Sequence, residues 1–330
     1  MIISRTPLRV SFVGGGTDIK EYYQNNIGSV LSTSIDKYLY VAVKRQYDFV
    51  EFKFRINWSE PEFCNSIDEI KHPIVKETLK FLNIDYPIEI TTFADVPAGT
   101  GLGSSSTFTV GLLHALYALK GQMVTKWQLA SEAAHIEIDI LKRNIGKQDH
   151  FAASYGNLNV FTFYPNEKVE VEPVFYKPDI KLEIENRLLM FYTKTTRDAS
   201  KILEKQIENT KSKVSVLTKM KELIPGLEAT FNNRKNTHNF GEILHQGWML
   251  KKSITDNISN DSINIYYQKA LDAGAIGGKL LGAGGGGFLL FYAETFNHEK
   301  ISEALSDLAE MKFRFDEGGS RITYYDQRVI

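Results

Sequence analysis

Pro97-Ala98-Gly99-Thr100-Gly101-Leu102-Gly103-Ser104-Ser105-Ser106-Thr107 sets three alternate glycines and three serines ahead of an apolar-periodic segment. Glycines let successive backbone amides turn toward one anion, and a helix starting behind them adds its free N–H groups and the positive end of its dipole. The run therefore reads as a phosphate cradle. It is not the Walker pattern, because Ser stands where that loop carries Lys. Nor does it meet the dinucleotide fingerprint, with its acidic ribose ligand about 20 residues on. A glycine-rich turn that only caps a helix is the plain alternative, although a cap needs one Ser and not the whole run.

Outward from the cradle, strands and helices alternate. Ile88 to Phe93 reads as the strand that delivers the chain to it, and Phe108, Leu112, Leu113, Leu116 and Leu119 fall at helical spacing behind it. A second helix is expected from Thr125, with Gln128 completing a capping box, to about Leu141, followed by a turn at Gly146-Lys147-Gln148-Asp149. Upstream, Leu8 to Val13 reads as a strand running into Gly14-Gly15-Gly16-Thr17-Asp18, and Tyr38 to Val43 as a buried strand. Downstream, strands are expected at Leu158 to Phe163 and Leu188 to Tyr192, then a helical stretch from about Asp198 to Lys252 interrupted at Pro225-Gly226. A second glycine cluster, Gly284 to Gly287, abuts the apolar run Phe288 to Tyr292 and reads either as a loop that a ligand approaches closely or as a permissive hairpin turn. Pro165, Pro173 and Pro178 mark either a domain boundary or a surface loop.

Composition sets wider bounds. With 330 residues, 43% of them hydrophobic, the chain can fill two domains of ordinary size. A net charge of -1 gives no reason to expect nucleic acid as a partner. The single cysteine, Cys64, forms no internal disulfide, and no Cys/His cluster has zinc spacing. No apolar run approaches the roughly 20 residues of a membrane span, and the first residues lack the pattern of a secretion signal. A cytoplasmic protein is expected.

Phosphoryl transfer to an alcohol is mostly positioning and charge neutralisation, and it asks for a metal ligand, a cation and often a base. Four residues beside the glycine loops fit those needs: Arg9, Asp18, Glu137 and Asp149. Glu137 shares its helix with Ala130, Ala133, Ala134 and Leu141, an apolar setting for a solvated acid. An exposed helix carboxylate at 137 and an ordinary turn aspartate at 149 are the plain alternatives.

Three segments, Pro7 to Asp18, Pro97 to Thr107 and Lys279 to Phe291, resemble in identity and order the three motifs of the GHMP kinases. Over nearly the whole chain, Gly14 to Asp18, Asp95 to Ser106, Gly146 to His150, Phe313 to Phe315 and Gly318 to Ser320 look like one branch of that family, the D-glycero-D-manno-heptose 7-phosphate kinases. The resemblance implies an α+β, two-domain GHMP kinase fold with mixed sheets, helices and an active-site cleft between the domains. Residues 1–170 would form the ATP-binding unit and 171–330 the C-terminal one. It implies ATP, held by Pro97, Gly99, Gly101, Leu102, Gly103, Ser104, Ser105 and Ser106, and Mg2+ held by Ser105 and Glu137, oxygen ligands suited to a hard cation. Asp149 would accept the proton of the acceptor hydroxyl, with Arg9 beside it favouring the carboxylate form.

The substrate implied is a small-molecule sugar phosphate, phosphorylated at its anomeric hydroxyl in nucleotide-activated heptose synthesis, and a homodimer is left open. Galactokinases carry Glu-His before the Thr-Asp pair, and the Glu binds an outer hydroxyl of the hexose; here Gly15 and Gly16 precede Thr17 and Asp18. Glycine removes charge and bulk, which favours a larger or anionic outer end. Asp18 would still bond ring hydroxyls, Gly284 and Gly285 would approach the substrate, and Lys147 and Arg197 are candidates for the distal phosphate, with Lys201 nearby. Each of these cations could equally be a solvated surface charge. Kinase action on fucose or a hexose, and a non-catalytic sugar and ATP sensor of the same fold, are the rival readings; retention of Arg9, Ser105, Glu137 and Asp149 argues against the sensor.

Overall fold

Residues 1–195, 199–210, 212–234 and 237–326 are described by the computed structural model. In chain order the strands are β1 (Ile2–Val13), β2 (Gly28–Arg45), β3 (Phe54–Asn57), β4 (Pro61–Cys64), β5 (Ile88–Ala94), β6 (Leu158–Phe163), β7 (Val169–Pro173), β8 (Leu188–Tyr192), β9 (Ala275–Leu280), β10 (Phe288–Ala293), β11 (Ala309–Glu310), β12 (Phe315–Asp316) and β13 (Arg321–Tyr325). They form a nine-stranded sheet built on β13-β1-β2-β5-β3-β4, with β6, β7 and β12 attached through β2, and a four-stranded sheet ordered β11-β8-β10-β9. The first sheet is mixed, since β3 runs parallel to β5 while β1, β2 and β5 pair antiparallel.

Long β2 is the spine. Its first half pairs with β6 and its second half with β5, and β1 lies along both. The pairing of β1 slips between Pro7 and Arg9 and again between Ser11 and Val13. Such slips bend a strand and re-aim its side chains. Leu8, Val10 and Phe12 enter a core shared with the second sheet, where they meet Met190, Phe288 and Leu290. Strand alternation then turns Arg9 and Ser11 to the other face, toward the cleft.

The helix behind the cradle, Ser104–Leu119, is buried along almost its whole length and packs against β1 and β2. Its companion runs Lys126–Ala134, with Thr125 accepting the Gln128 N–H as expected. The reciprocal half of the capping box is absent among the described contacts, because the Gln128 amide turns instead to Glu132 and the Tyr117 hydroxyl. Residues His135–Ile140 continue this helix as a π-turn, the wider winding that often marks a functional position.

Among the described residues, the expected stretch from 198 to 252 resolves into four α-helices, Ala199–Thr210, Val214–Glu222, Ile224–Asn232 and Asn239–Lys252. Pro225 sits in the first turn of the third of these rather than breaking a longer one, since a first-turn proline gives up no helical hydrogen bond. The division expected at 170/171 falls inside β7, and β12 and β13 return to the first sheet, where Tyr325 pairs with Ile2.

Candidate active site

A cleft opens between the two sheets, lined from one side by β1, the cradle and the start of helix Gln148–Tyr155, and from the other by β9 and the glycine loop after it. The expected turn at 146–149 ends two residues early: Gln148 begins that helix, so Asp149 lies in its first turn. Arg9 meets Asp149 in a fork, Nε donating to Oδ1 and Nη2 to Oδ2, each at 2.7 Å. Its third donor, Nη1, bonds the Gly101 carbonyl at 2.7 Å, and its backbone N–H bonds Leu102 O at 3.1 Å. One buried guanidinium thus fixes the acid relative to the cradle.

In the cradle, Gly103 takes a left-handed conformation and no side chain caps the helix that follows. The first-turn amides of Ser104, Ser105 and Ser106 therefore face the cleft with the helix dipole behind them. Gly99, Gly101 and Gly103 line the same wall. Pro97 is exposed away from it, and Leu102 is wholly buried in the apolar core, so neither side chain meets the cleft. The two glycine loops touch: a Cβ on Gly282 would come within 2.4 Å of Gly101 Cα. The Ser104 hydroxyl is buried without a partner, as an atom awaiting a ligand oxygen would be.

Glu137 is completely buried, yet its surroundings are polar, contrary to the apolar setting expected from its helix neighbours. Oε1 accepts from Thr109 Oγ1 at 2.8 Å and lies 3.1 Å from His150 Nε2; Oε2 accepts from Ser105 Oγ at 2.8 Å and Arg143 Nη1 at 2.9 Å. Burial pushes this carboxyl up, but the His150 bond, the charge of Arg143 and the Ser105 hydroxyl outweigh it and bring it down to about 2. A serine hydroxyl beside an ionised carboxylate is the donor set a small hard cation takes, with water completing its shell. Ser105 and Glu137 fit such a cation on the face now covered by Arg143, which also bonds Ser105 Oγ at 2.6 Å. Among the described residues no group of three or more His, Cys, Asp or Glu is placed to hold a metal ion.

At the other end of the cleft, Gly15, Gly16 and Asp18 line the wall. Asp18 is buried, and burial raises its pKa against the opposing Gly16 N–H, which it accepts at 2.9 Å. Gln148 gives it two more hydrogen bonds, both at 3.2 Å. Gly146 cannot carry a side chain here, because its Cβ would lie 1.9 Å from Asp18 Oδ2. Thr17 does not reach the cleft: its buried hydroxyl donates to Gly14 O and Ser29 O, both at 2.8 Å, and closes the loop. Lys147 is also displaced from its expected role. Its ammonium bonds Glu167 and lies 5.0 Å from the Tyr23 ring centroid, in a separate depression. Gly284 lines the cleft, whereas Gly285 faces another pocket and bonds Ile258 O at 2.9 Å. Arg197 lies outside the described residues.

Several cleft residues carried no role in the sequence. Ser11 Oγ and Gln148 Oε1 are buried there without partners. Strand alternation puts Ser11 on the same face as Arg9, and that pattern could have found it. Arg143 and Lys251 arrive from segments with no local motif for such a role, and Lys279 opens the third motif segment without having been given a role of its own.

Known proteins resemble this chain along nearly its whole length. The family described as GHMP kinases N terminal domain matches residues 73–157, and that described as GHMP kinases C terminal matches 223–310. A D-glycero-alpha-D-manno-heptose 7-phosphate kinase of Campylobacter jejuni subsp. jejuni serotype O:2 is 32% identical over 319 residues, covering 92% of this chain and 93% of that protein. Among solved structures, a D-glycero-D-manno-heptose 1-phosphate kinase from B. thetaiotaomicron has a TM-score of 0.80 at 24% identity, covering 99% of this chain and 100% of its own. A putative sugar kinase from Campylobacter jejuni reaches 0.72 at 28% identity, with 97% of each chain covered. With both family regions matched in order and a relative of this identity along nearly the whole length, the chain belongs to the GHMP kinase family.

Proposed function

We propose that this kinase transfers the γ-phosphoryl group of ATP to the anomeric hydroxyl of D-glycero-D-manno-heptose 7-phosphate, giving the 1,7-bisphosphate used in nucleotide-activated heptose synthesis in the cytoplasm. The observation that carries this reading is the Arg9–Asp149 fork, set against the uncapped start of helix Ser104–Leu119. The cradle amides bind donor phosphate. The acceptor hydroxyl then lies beside Asp149, which takes its proton as the oxygen forms its bond to the γ-phosphorus and the bond to the β,γ-bridging oxygen breaks, ADP leaving with the electron pair. Arg9 holds the carboxylate in place. Magnesium is the cofactor that Ser105 and Glu137 would hold, supplying charge neutralisation at the donor phosphates.

The acceptor is inferred from the outer end of the cleft and from the name of the C. jejuni relative. Gly15 and Gly16 bring no carboxylate there, and an ideal Cβ on Gly15 already comes within 3.5 Å of Ser11 Oγ and Gln148 Nε2, leaving these two groups to face the sugar. The test is phosphorus and proton NMR of the product formed from ATP and heptose 7-phosphate. A second phosphate coupled to the anomeric proton is expected; phosphate on any other carbon refutes the assignment.

A further inference from the structure

Lys251 is the next-to-last residue of the helix Asn239–Lys252, outside all three glycine segments, and is 7% exposed on the cleft floor. Its ammonium donates to the Gly282 carbonyl, the one acceptor it has among the described residues, at the point where the two glycine loops touch. No carboxylate pairs with it among those residues. Asp149 is taken by Arg9, and Asp18 by Gly16 and Gln148. Lys279, also on the floor, spends its ammonium on the carbonyls of Ser11 and Phe12 at 2.7 and 2.6 Å. A buried ammonium with free N–H directions and no counter-ion is costly unless an anion arrives to share the site. In a phosphoryl-transfer cleft the arriving anion is phosphate.

We propose that Lys251 is a catalytic residue: its ammonium contacts the oxygens of the phosphoryl group in flight, across the Gly101–Gly282 contact from Arg9, as that group passes from the donor to the acceptor oxygen. The step is the one written above, with the acceptor proton going to Asp149 and the electron pair to ADP, so the inference rests on that reading. Burial first, and then the positive charge of Arg9, lower the Lys251 pKa to about 8, while Asp18 and Asp149 oppose the fall. These groups, with Lys279 and the Gly282 carbonyl, are the charged or polar neighbours that face it.

Lys251→Met and Lys251→Arg test this in steady-state kinetics with heptose 7-phosphate and with its unphosphorylated sugar. Expected for Lys251→Met is a fall in kcat of about a hundredfold or more on any acceptor the enzyme uses, with KM for ATP and acceptor changed less than about fivefold. The wild-type kcat/KM should decline as pH rises through about 8, because the charged form is the active one, and Lys251→Arg should retain partial activity with that decline moved upward. A raised KM for the sugar phosphate alone, with kcat intact, makes Lys251 a contact to the acceptor's own phosphate and overturns the proposal. Unchanged kinetics in Lys251→Met beside an active wild type overturns it too, and leaves the proposed reaction standing. A wild type that turns over ATP with no sugar acceptor overturns both. Should Lys251→Met fail to fold, Lys251→Arg decides: a pH profile identical to wild type refutes the role.

Discussion

Arg9 holds Asp149 through both carboxylate oxygens while its remaining donor grips the carbonyl of Gly101, so the acid and the cradle are positioned by one side chain. Replacing Asp149 with Asn removes the proton acceptor but leaves the cradle amides untouched. Turnover should fall at least about a hundredfold. Binding of a non-hydrolysable ATP analogue, followed by calorimetry, should be nearly unchanged. Near-normal turnover in Asp149→Asn rules out the base.

Glu137 links the cradle to stability. Its carboxyl is held at about 2 against a reference of 4.5, which corresponds to about 3 kcal/mol favouring the folded state above the reference value. Because the folded pKa is the lower one, that contribution is present at neutral pH and is lost as pH falls from about 4.5 toward about 2. Glu137→Gln should lower stability at neutral pH by a similar amount and flatten this acid limb in urea unfolding. An acid limb equally steep in the variant would show that another group carries it.

The contact between Gly101 and Gly282 joins the two glycine loops with no room for a side chain. Gly282 also has a φ of +74°, which an alanine adopts at a cost of about 1 kcal/mol or more. Gly282→Ala should lower the melting temperature by several degrees and weaken ATP. A variant with wild-type melting and KM would mean that the loops do not meet this closely in solution.

The outer end of the cleft can be tested by charge. Gly15→Glu sets a carboxylate among Ser11, Gln148 and Asp18, so KM for a sugar phosphate should rise at least about tenfold while a neutral sugar is affected much less. Lys147→Ala, by contrast, should leave acceptor KM unchanged, because its ammonium is committed to Glu167. An equal rise for charged and neutral acceptors in Gly15→Glu would point to bulk and not charge.

Local pattern carried much of this architecture. The expected strand Leu158 to Phe163 is β6 residue for residue, Leu188 to Tyr192 is β8, and the apolar spacing from Phe108 to Leu119 lies on the cradle helix. Residues whose role depends on distant partners were harder to read. Lys147 looked like a free cation in a glycine turn, and only the fold brings Glu167 and Tyr23 against it. Glu137 was singled out by its apolar helix neighbours, but Ser105, Thr109, Arg143 and His150, which make its pocket polar, come from three other segments. Lys251 had no local mark at all, since the helix that carries it meets the glycine loop only through tertiary packing. The capping box at Thr125 was half legible, because a competing partner for Gln128 lies one turn on at Glu132.

The central claim, transfer to a sugar phosphate, is tested most directly by the ratio of kcat/KM for heptose 7-phosphate to that for unphosphorylated heptose, galactose and fucose, scored by ADP release. A ratio of about a hundred or more for the phosphorylated acceptor is expected. Preference for a neutral sugar would contradict it and the reading of Gly15 and Gly16 together.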